Sequence, residues 1–251
     1  MPVIMRKYWA TAAFMLSLLC VWEIVVKLGI VPEYILPAPS SIIKSIIDTS
    51  ALLWEHSLQT VREVVLGFLL AVALGIVLAV FMGIFPLVKQ ALYPLVVISQ
   101  TIPIMAVAPL FIIWFGYGIL PKLLVVTLVC FFPITVSLVE GFAAVDQDII
   151  KLLQAMGASR RQILEKVSFP GALPSFFAGL KIAVTYSVMG AVIGEWLGAS
   201  QGLGVYMTRS MNSFQTAQVF GSIVVITVLS LAFFGLVNLV ARIVMPWYYQ
   251  K

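Results

Sequence analysis

The sequence predicts an all-α polytopic membrane protein with six transmembrane helices. Of its 251 residues, 62% are hydrophobic and only 10% are charged, and the mean hydropathy is +1.12. Soluble globular domains carry about 25% charged residues, whereas several runs here approach or exceed the ~20 apolar residues needed to cross a bilayer. The whole chain, residues 1–251, is therefore expected to form one transmembrane domain.

The six spans are predicted from the apolar runs, which lie at about 8–30, 62–85, 92–115, 119–140, 172–195 and 218–245. The third span is the least regular because Pro103 and Pro109 lie within it. Proline removes a backbone donor and kinks a helix, and a membrane helix tolerates this where its neighbours satisfy the freed carbonyls. The predicted kink suits a transport pathway and simple helix packing equally well.

The lysine and arginine residues favour one side of the membrane by two to one. With six spans, the side that carries both termini collects Arg6, Lys7, Lys89, Lys151, Arg160, Arg161, Lys166, Lys181, Arg242 and Lys251. The other side has Lys27, Lys44, Arg62, Lys122 and Arg209. Because cytoplasmic loops carry the excess of basic residues, both termini are expected in the cytoplasm. The net charge of +5 then reflects topology, and no basic patch interleaved with aromatic residues indicates nucleic-acid binding.

The connection after the first span, LPAPSSIIKSIIDTSALLWEHSLQT, predicts a short amphipathic helix at the outer interface. Its apolar face consists of Ile42, Ile43, Ile46 and Ile47. His56, the sole histidine, is expected to be exposed, because no cluster of metal ligands or catalytic groups accompanies it. Glu23 and Lys27, at the end of the first span, are spaced for an i,i+4 ion pair.

The long connection 141–171, between the fourth and fifth spans, begins with a predicted amphipathic helix in VDQDIIKLLQAM. Asp146 is placed to cap its first turn. The apolar face has helical spacing and consists of Ile149, Leu152, Leu153 and Met156. Gly157 is a natural C-terminal stop for this helix.

A second short helix is predicted immediately after Gly157. Ser159 begins SRRQ, a Ser-x-x-Gln capping box, and Pro170 is expected to end the helix. Its apolar face consists of Ile163, Leu164 and Val167. Two interpretations remain open from these residues alone. The helix pair lies on the inner leaflet with Arg160 and Arg161 against anionic lipid, or it docks a cytosolic partner.

The segment QAMGASRRQILEKVSFPGALP resembles the cytoplasmic loop, called the EAA motif, of binding-protein-dependent ABC importer permeases. Gly157 matches the glycine of that motif, and Val167, Phe169 and Pro170 match its hydrophobic-x-hydrophobic-Pro ending. The acid-Ala-Ala triplet of the motif is degraded, because Lys151, Leu152 and Leu153 stand in its place. The departure puts a specific role for the acidic residue in doubt.

The resemblance covers nearly the whole chain. LPAPSSI, PIMAVAPLFIIWFGYG and GLKIAVTYSVMGAVIGEWLGASQGLGVYM are similar to segments of the nitrate, sulfonate and taurine permease subfamily, which includes permeases for riboflavin and for thiamine pyrimidine precursors. The resemblance implies a type I ABC importer permease in a prokaryotic inner membrane that works by alternating access. It also implies these partners: a second permease copy, two cytoplasmic ATPase subunits that bind ATP and Mg, and an external solute-binding protein.

In this family the loop forms a coupling helix that sits in a groove of the ATPase subunit. The residues to which the resemblance assigns coupling are Gly157, Ser159, Arg160, Arg161, Ile163, Leu164, Val167 and Pro170. Breaking this dock is expected to uncouple ATP hydrolysis from transport without unfolding the spans.

The translocation pathway is less sharply marked. Candidates on the third span are Gln100, Thr101, Met105 and Trp114, with helix packing as the alternative role. On the fifth span, Gly190, Gly194 and Gly198 have the small-x-x-x-small spacing of a helix-packing strip. Glu195 ends that strip and is a candidate for an outer gate or a binding-protein contact, with a solvated interface residue as the alternative.

No enzymatic constellation is present in the sequence. It has no Gly-rich phosphate loop followed by Lys-Ser/Thr and no metal-ligand cluster, so the chain is expected to hold no cofactor and not to hydrolyse ATP. Two rival classes are a secondary transporter, although we find no convincing internal repeat, and a membrane scaffold. The nearly uncharged candidate lining slightly favours a neutral vitamin-type heterocycle over a sulfonate, taurine or nitrate.

Overall fold

The computed structural model describes residues 2–249, with side chains from residue 9 onward. Every regular element in this part of the chain is helical. Five helices are long and apolar enough to cross a membrane, and a strongly bent helix pair gives a sixth when the pair is counted as one span. The predicted all-α architecture with six spans is confirmed. Arg6, Lys7 and Lys251, which entered the charge comparison, lie outside the described side chains.

The helices are, in chain order, α1 (Pro2–Lys27), α2 (Pro39–Asp48), α3 (Ser50–Ile84), α4 (Pro86–Ser99), α5 (Ile104–Phe115), α6 (Ile119–Ala143), α7 (Gln147–Ala155), α8 (Arg160–Ile163), α9 (Phe169–Trp196), α10 (Leu203–Asn212), α11 (Thr216–Val244) and α12 (Pro246–Tyr249). A π-helical turn, Leu164–Ser168, joins α8 to α9. The connection from α6 to α9 marks one end of the bundle, which we call the loop end. The first turns of α3 and α6 and the whole of α10 lie toward the other end, which we call the far end.

The first two helices meet at the far end. Glu23 of α1 accepts hydrogen bonds from the backbone N–H and the hydroxyl of Ser40, at 3.0 and 2.6 Å. It also forms the predicted ion pair with Lys27 at 2.9 Å. α2 buries Ile42, packs Ile46 beside Gly221 of α11 and leaves Ile43 and Ile47 exposed, so the predicted amphipathic helix exists and two of its isoleucines face the protein.

α3 begins at Ser50, well before the start at residue 62 that the apolar run predicted. The segment SALLWEHSLQT contains no proline or glycine, so helical hydrogen bonding continues through its polar residues. The helix that carries the predicted second span therefore begins twelve residues before the apolar run. His56 consequently lies on a long membrane helix and not in a connection.

The predicted third span is two helices, α4 and α5, with a bend of 101° between them. Residues 100–103 lie outside both helices, and Pro103 has an extended backbone with ψ 118°. Proline lacks an N–H and disfavours helical backbone in the residue before it, so the chain breaks at this point. Pro109 stays within α5. The helix therefore breaks completely at Pro103, and it continues without a break through Pro109.

The core of the bundle lies between α3, α6 and α9, and α6 packs along α9 more extensively than any other described pair. A Cβ atom on Gly179 would lie 2.6 Å from the carbonyl oxygen of Pro133, so the two backbones are in contact. Gly190 and Gly194 also face α6, next to Val126 and Lys122. Small residues on α9 thereby allow its close approach to α6.

Gly198 differs from the other two glycines of the proposed packing strip. It follows the end of α9 and has a φ of +128°, a backbone conformation that favours glycine. A Cβ atom there would overlap the ring of Tyr117, at 2.6 Å. Gly198 therefore belongs to a turn at the far end of the bundle and not to the helical strip.

Candidate functional site

The first helix of the connection 141–171, α7, has both of its predicted end signals. The Asp146 carboxylate accepts the backbone N–H of Asp148 at 2.8 Å, which caps the first turn. At the other end Gly157 has a φ of +82°. The N–H groups of Gly157 and Ala158 donate to the carbonyls of Gln154 and Leu153, at 3.0 and 2.9 Å. This is a Schellman arrangement, which requires the left-handed backbone that glycine adopts most easily.

The second helix, α8, begins with the predicted capping box. The Ser159 hydroxyl accepts the N–H of Gln162 at 3.3 Å, and Gln162 Oε1 accepts the N–H of Ser159 at 2.8 Å. The expected end at Pro170 is wrong, because the chain remains helical from Arg160 to Trp196. Pro170 lies just after the π-helical turn Leu164–Ser168, and the helical run continues past it although the proline supplies no N–H. The helix to which the resemblance assigns coupling is therefore continuous with the helix of the fifth span.

The side chains of the loop differ in what they leave accessible. Arg160 is exposed, and the exposed Arg161 pairs with Glu165 at 2.7 Å. Ile163 is buried against its own subunit, and Leu164 and Val167 are half-buried. The exposed large apolar residues are Ile149 and Leu152 of α7 and Met156, which directly follows that helix. These residues belong to the predicted amphipathic face but not to the residues to which the resemblance assigns coupling.

A cavity of about 410 Å³ opens where α4 and α5 separate. It is lined by Ser99, Gln100, Thr101, Ile102, Pro103, Ile104, Leu128, Val129, Tyr186 and Met189. Two of the four candidates on the third span, Gln100 and Thr101, are in this lining. The other two, Met105 and Trp114, are exposed on α5. None of the lining residues is charged.

Sequence reasoning missed the part of this lining that α9 supplies. Ile182, Tyr186 and Met189 are exposed on a helix whose other faces are largely buried. They recur at i, i+4 and i+7, on a different face from the glycines. A face of large residues beside a face of small residues was the signal that could have identified Tyr186 and Met189.

Glu195 is buried at the far end, with 1% of its surface exposed. Its Oε1 accepts the hydroxyl of Thr60 at 2.6 Å, and its Oε2 accepts the backbone N–H of Gly204 at 2.6 Å. The alternative of a solvated interface residue is therefore wrong. A pathway role for Glu195 stays a prediction, and the geometry gives this carboxylate a structural connection to α3 and α10.

A buried ion pair lies beside Glu195. Glu63 Oε1 of α3 accepts hydrogen bonds from Lys122 Nζ of α6 and from Gln59 Nε2, both at 2.7 Å. Charged side chains inside a membrane bundle are found paired because an isolated charge there is costly. Lys122 is one of the five basic residues on the predicted outer side, and its charge is paired with Glu63 inside the bundle.

His56 is buried, which corrects the expectation of an exposed side chain. Only 4% of its surface is exposed, Nδ1 accepts the backbone N–H of Gly202 at 2.9 Å, and the ring lies 5.7 Å from that of Tyr206. The start of α10 folds over His56, and no local pattern around residue 56 indicates a partner so distant in the chain.

The family model for the inner membrane component of binding-protein-dependent transport systems matches residues 71–248. The chain belongs to this family. The matched region includes the broken span, the connection 141–171, and all of α6 and α9. The protein is therefore a multi-pass inner membrane permease of an ABC importer for a small solute, and its family implies ATPase and binding-protein partners.

Three relatives are similar to this permease over most of its length. Formylaminopyrimidine transport permease protein ThiX of Halalkalibacterium halodurans is 40% identical over 96% of this chain and 98% of its own. Riboflavin transport system permease protein RibX of Chloroflexus aurantiacus is 34% identical over 93% and 88%. Taurine transport system permease protein TauC of Escherichia coli is 32% identical over 92% and 86%. The permease belongs to the subfamily that the sequence resembles.

Two solved structures share the fold of this permease. A chain of the MetNI methionine ABC transporter, in inward facing conformations, gives a TM-score of 0.60 at 21% identity and covers 78% of this chain and 95% of its own. A chain of an amino acid ABC transporter with histidines gives 0.64 at 15% identity, over 79% and 96%. The fold is thus that of type I ABC importer permeases.

Proposed function

We propose that this permease imports a neutral heterocycle of the formylaminopyrimidine type, delivered by an external binding protein. The observation that carries the proposal is the 40% identity to a formylaminopyrimidine permease over nearly the full length of both chains. The riboflavin permease among the relatives also handles a heterocycle by its name. Taurine is the competing solute, because the taurine permease is only slightly less similar.

The cavity at the broken span favours a neutral solute over an anion. Ser99, Gln100, Thr101 and Tyr186 offer uncharged hydrogen-bonding groups, and the remaining lining is apolar. Sites for sulfonates and similar anions typically use arginine or lysine, whose charge-assisted hydrogen bonds are the strong ones. A ring with a few donors and acceptors matches a mostly apolar pocket with a few polar groups.

The loop end is the part of the molecule we assign to the ATPase. Exposed Leu152 and Met156 provide apolar surface, and Arg160 and Arg161 provide positive charge beside it. An apolar centre with a charged rim is the usual anatomy of a protein interface. In this assignment two ATPase subunits bind ATP and Mg, the permease forms a homodimer, both termini are cytoplasmic, and the pathway alternates its access.

The test is uptake into proteoliposomes that contain the permease, its ATPase and an excess of its binding protein. Labelled formylaminopyrimidine is expected to accumulate only with ATP and the ATPase, and unlabelled taurine is expected not to compete. Vesicles loaded with a non-hydrolysable ATP analogue are the control. Uptake driven by an ion gradient without the ATPase would contradict the ABC mechanism, and taurine uptake in place of the heterocycle would contradict the solute.

A further inference from the structure

The first backbone N–H groups of α10 are held by side chains from other helices. Gly202 donates to His56 Nδ1 at 2.9 Å, Leu203 donates to Thr60 Oγ1 at 2.9 Å, and Gly204 donates to Glu195 Oε2 at 2.6 Å. The first N–H groups of a helix have no intrahelical partner. Here α3 and α9 supply all three acceptors, so the start of α10 is fixed to two membrane helices.

The glycines of the segment GLG, 202–204, make this arrangement possible. A Cβ atom on Gly202 would overlap the Glu195 carboxylate, and one on Gly204 would lie 2.6 Å from the carbonyl oxygen of Val192. Gly202 also has a φ of +130°. Of the three N–H groups only that of Gly204 donates to Glu195, and the carboxylate lies against the backbone of 202–204 because glycines leave room for it there.

The same cluster reaches the third core helix. Thr60 and Glu63 are one turn apart on α3, and Glu63 pairs with Lys122 of α6 at 2.7 Å. The second carboxylate oxygen of Glu63 is buried without a hydrogen-bond partner among the described residues. Glu63 therefore depends on Lys122 for compensation of its buried charge. Thr60 and Glu63, within one turn of α3, together contact α6, α9 and α10.

We infer that Glu195, Thr60 and His56 are positioning residues for transport, which hold α10 as a fixed part of the α3–α6–α9 body. The placement of α10 then sets the response of the permease to its external binding protein. This inference rests on the proposed function, because the far end faces the binding protein when the loop end faces the ATPase. α10 leads directly to Phe214, which is 90% exposed with a φ of +55°.

The experiment compares variants of the permease reconstituted with its ATPase in vesicles. Two quantities are measured: the ratio of ATP hydrolysis with and without the binding protein, and the hydrogen exchange of peptides that cover 203–212. In Glu195→Gln and Thr60→Val, the rate of exchange in α10 is expected to rise about tenfold, and the stimulation ratio is expected to fall about tenfold. A factor of about ten is the size of the effect expected when one hydrogen bond to a charged group is lost. Peptides that cover 119–143 are expected not to change.

Matched variants separate positioning from general damage. Glu55→Gln removes an exposed carboxyl one residue from His56 and is expected to match the wild type in both measurements. His56→Asn keeps a hydrogen-bond acceptor for Gly202, whereas His56→Phe removes it at similar size. We expect His56→Asn to retain more of the stimulation than His56→Phe.

Unchanged exchange in Glu195→Gln would overturn the inference, and so would faster exchange with an unchanged ratio. If Glu195→Gln does not assemble with the ATPase, the His56 pair decides: a lower ratio in His56→Phe than in His56→Asn supports the inference, and equal ratios overturn it. If the wild type itself is not stimulated, the proposed function fails together with the transport role of α10. The exchange data then still decide whether the three side chains hold that helix.

Discussion

Lys122 Nζ lies 2.7 Å from Glu63 Oε1 between α6 and α3, where the lysine side chain is 11% exposed and the glutamate is fully buried. The pair brings together two helices whose remaining contacts are mainly apolar. A buried ion pair of this kind is no more stabilising than well-packed apolar residues, but losing one partner leaves the other charge without compensation. The stability of α3 packed on α6 therefore requires both members of the pair.

The first prediction concerns this dependence. Lys122→Met is expected to lower the free energy of unfolding by about 3–5 kcal/mol because it leaves Glu63 buried and unpaired. The double variant Glu63→Leu/Lys122→Met is expected to recover most of that loss. Thermal unfolding of the detergent-solubilised permease measures both, and a double variant less stable than the single one would contradict the buried pair.

A second prediction concerns the contact between α6 and α9. Gly179→Ala is expected to destabilise the permease by about 1–3 kcal/mol, because the new methyl group meets the Pro133 carbonyl oxygen at 2.6 Å. Gly235→Ala is the control, since no atom lies within 4 Å of its Cβ position. Alanine is the better helix former by about 1 kcal/mol, so this control is expected to be neutral or stabilising in the same unfolding measurement.

The third prediction tests the loop end. The double variant Arg160→Glu/Arg161→Glu is expected to reduce the ATPase that co-purifies with the permease by at least about tenfold, because reversed charges repel acidic groups of the partner. Lys44→Glu/Arg62→Glu makes the same charge change at two exposed far-end positions and is expected to retain the ATPase. Normal co-purification and transport in Arg160→Glu/Arg161→Glu would contradict the assignment of this loop to the ATPase interface.

The fourth prediction concerns the cavity at the break between α4 and α5. Gln100→Leu is expected to raise the KM for uptake of the heterocycle about tenfold, the effect of one lost polar contact to the solute. Thr227→Val is the control, because the hydroxyl of Thr227 bonds within α11 to Ile223 at 2.8 Å, away from the cavity lining. An unchanged KM in Gln100→Leu would place the solute elsewhere.

Local signals in the sequence predicted the parts of the structure that depend on neighbouring residues. Asp146, Gly157 and Ser159 cap their helices as expected because each cap is completed within five residues. The spans followed from apolar runs for the same reason. The start of α3 was missed because a polar segment without proline or glycine can extend a helix as readily as it can form a connection.

The buried polar cluster at the far end, formed by His56, Thr60, Glu195 and the backbone of 202–204, was not predictable from such signals. The bonds of His56 to Gly202, Leu203 to Thr60, and Thr60 to Glu195 join residues 146, 143 and 135 positions apart. The burial of each polar group depends on partners that only the folded bundle supplies. Individually these side chains indicate surface or interface positions, and only together do they form a satisfied buried network.

The uninterrupted helix from Arg160 to Trp196 has a consequence for how access alternates. It is 37 residues long, about 55 Å at 1.5 Å per residue, and α6 holds it along much of its length. Because α6 and this helix are in close contact from Gly179 to Gly194, we expect them to rotate as one body in the proposed alternating-access mechanism. The ends of a body that rotates about a point between them travel in opposite directions, so we expect inward movement at Arg160 to accompany outward movement at Trp196 and to oppose simultaneous opening on both sides of the membrane.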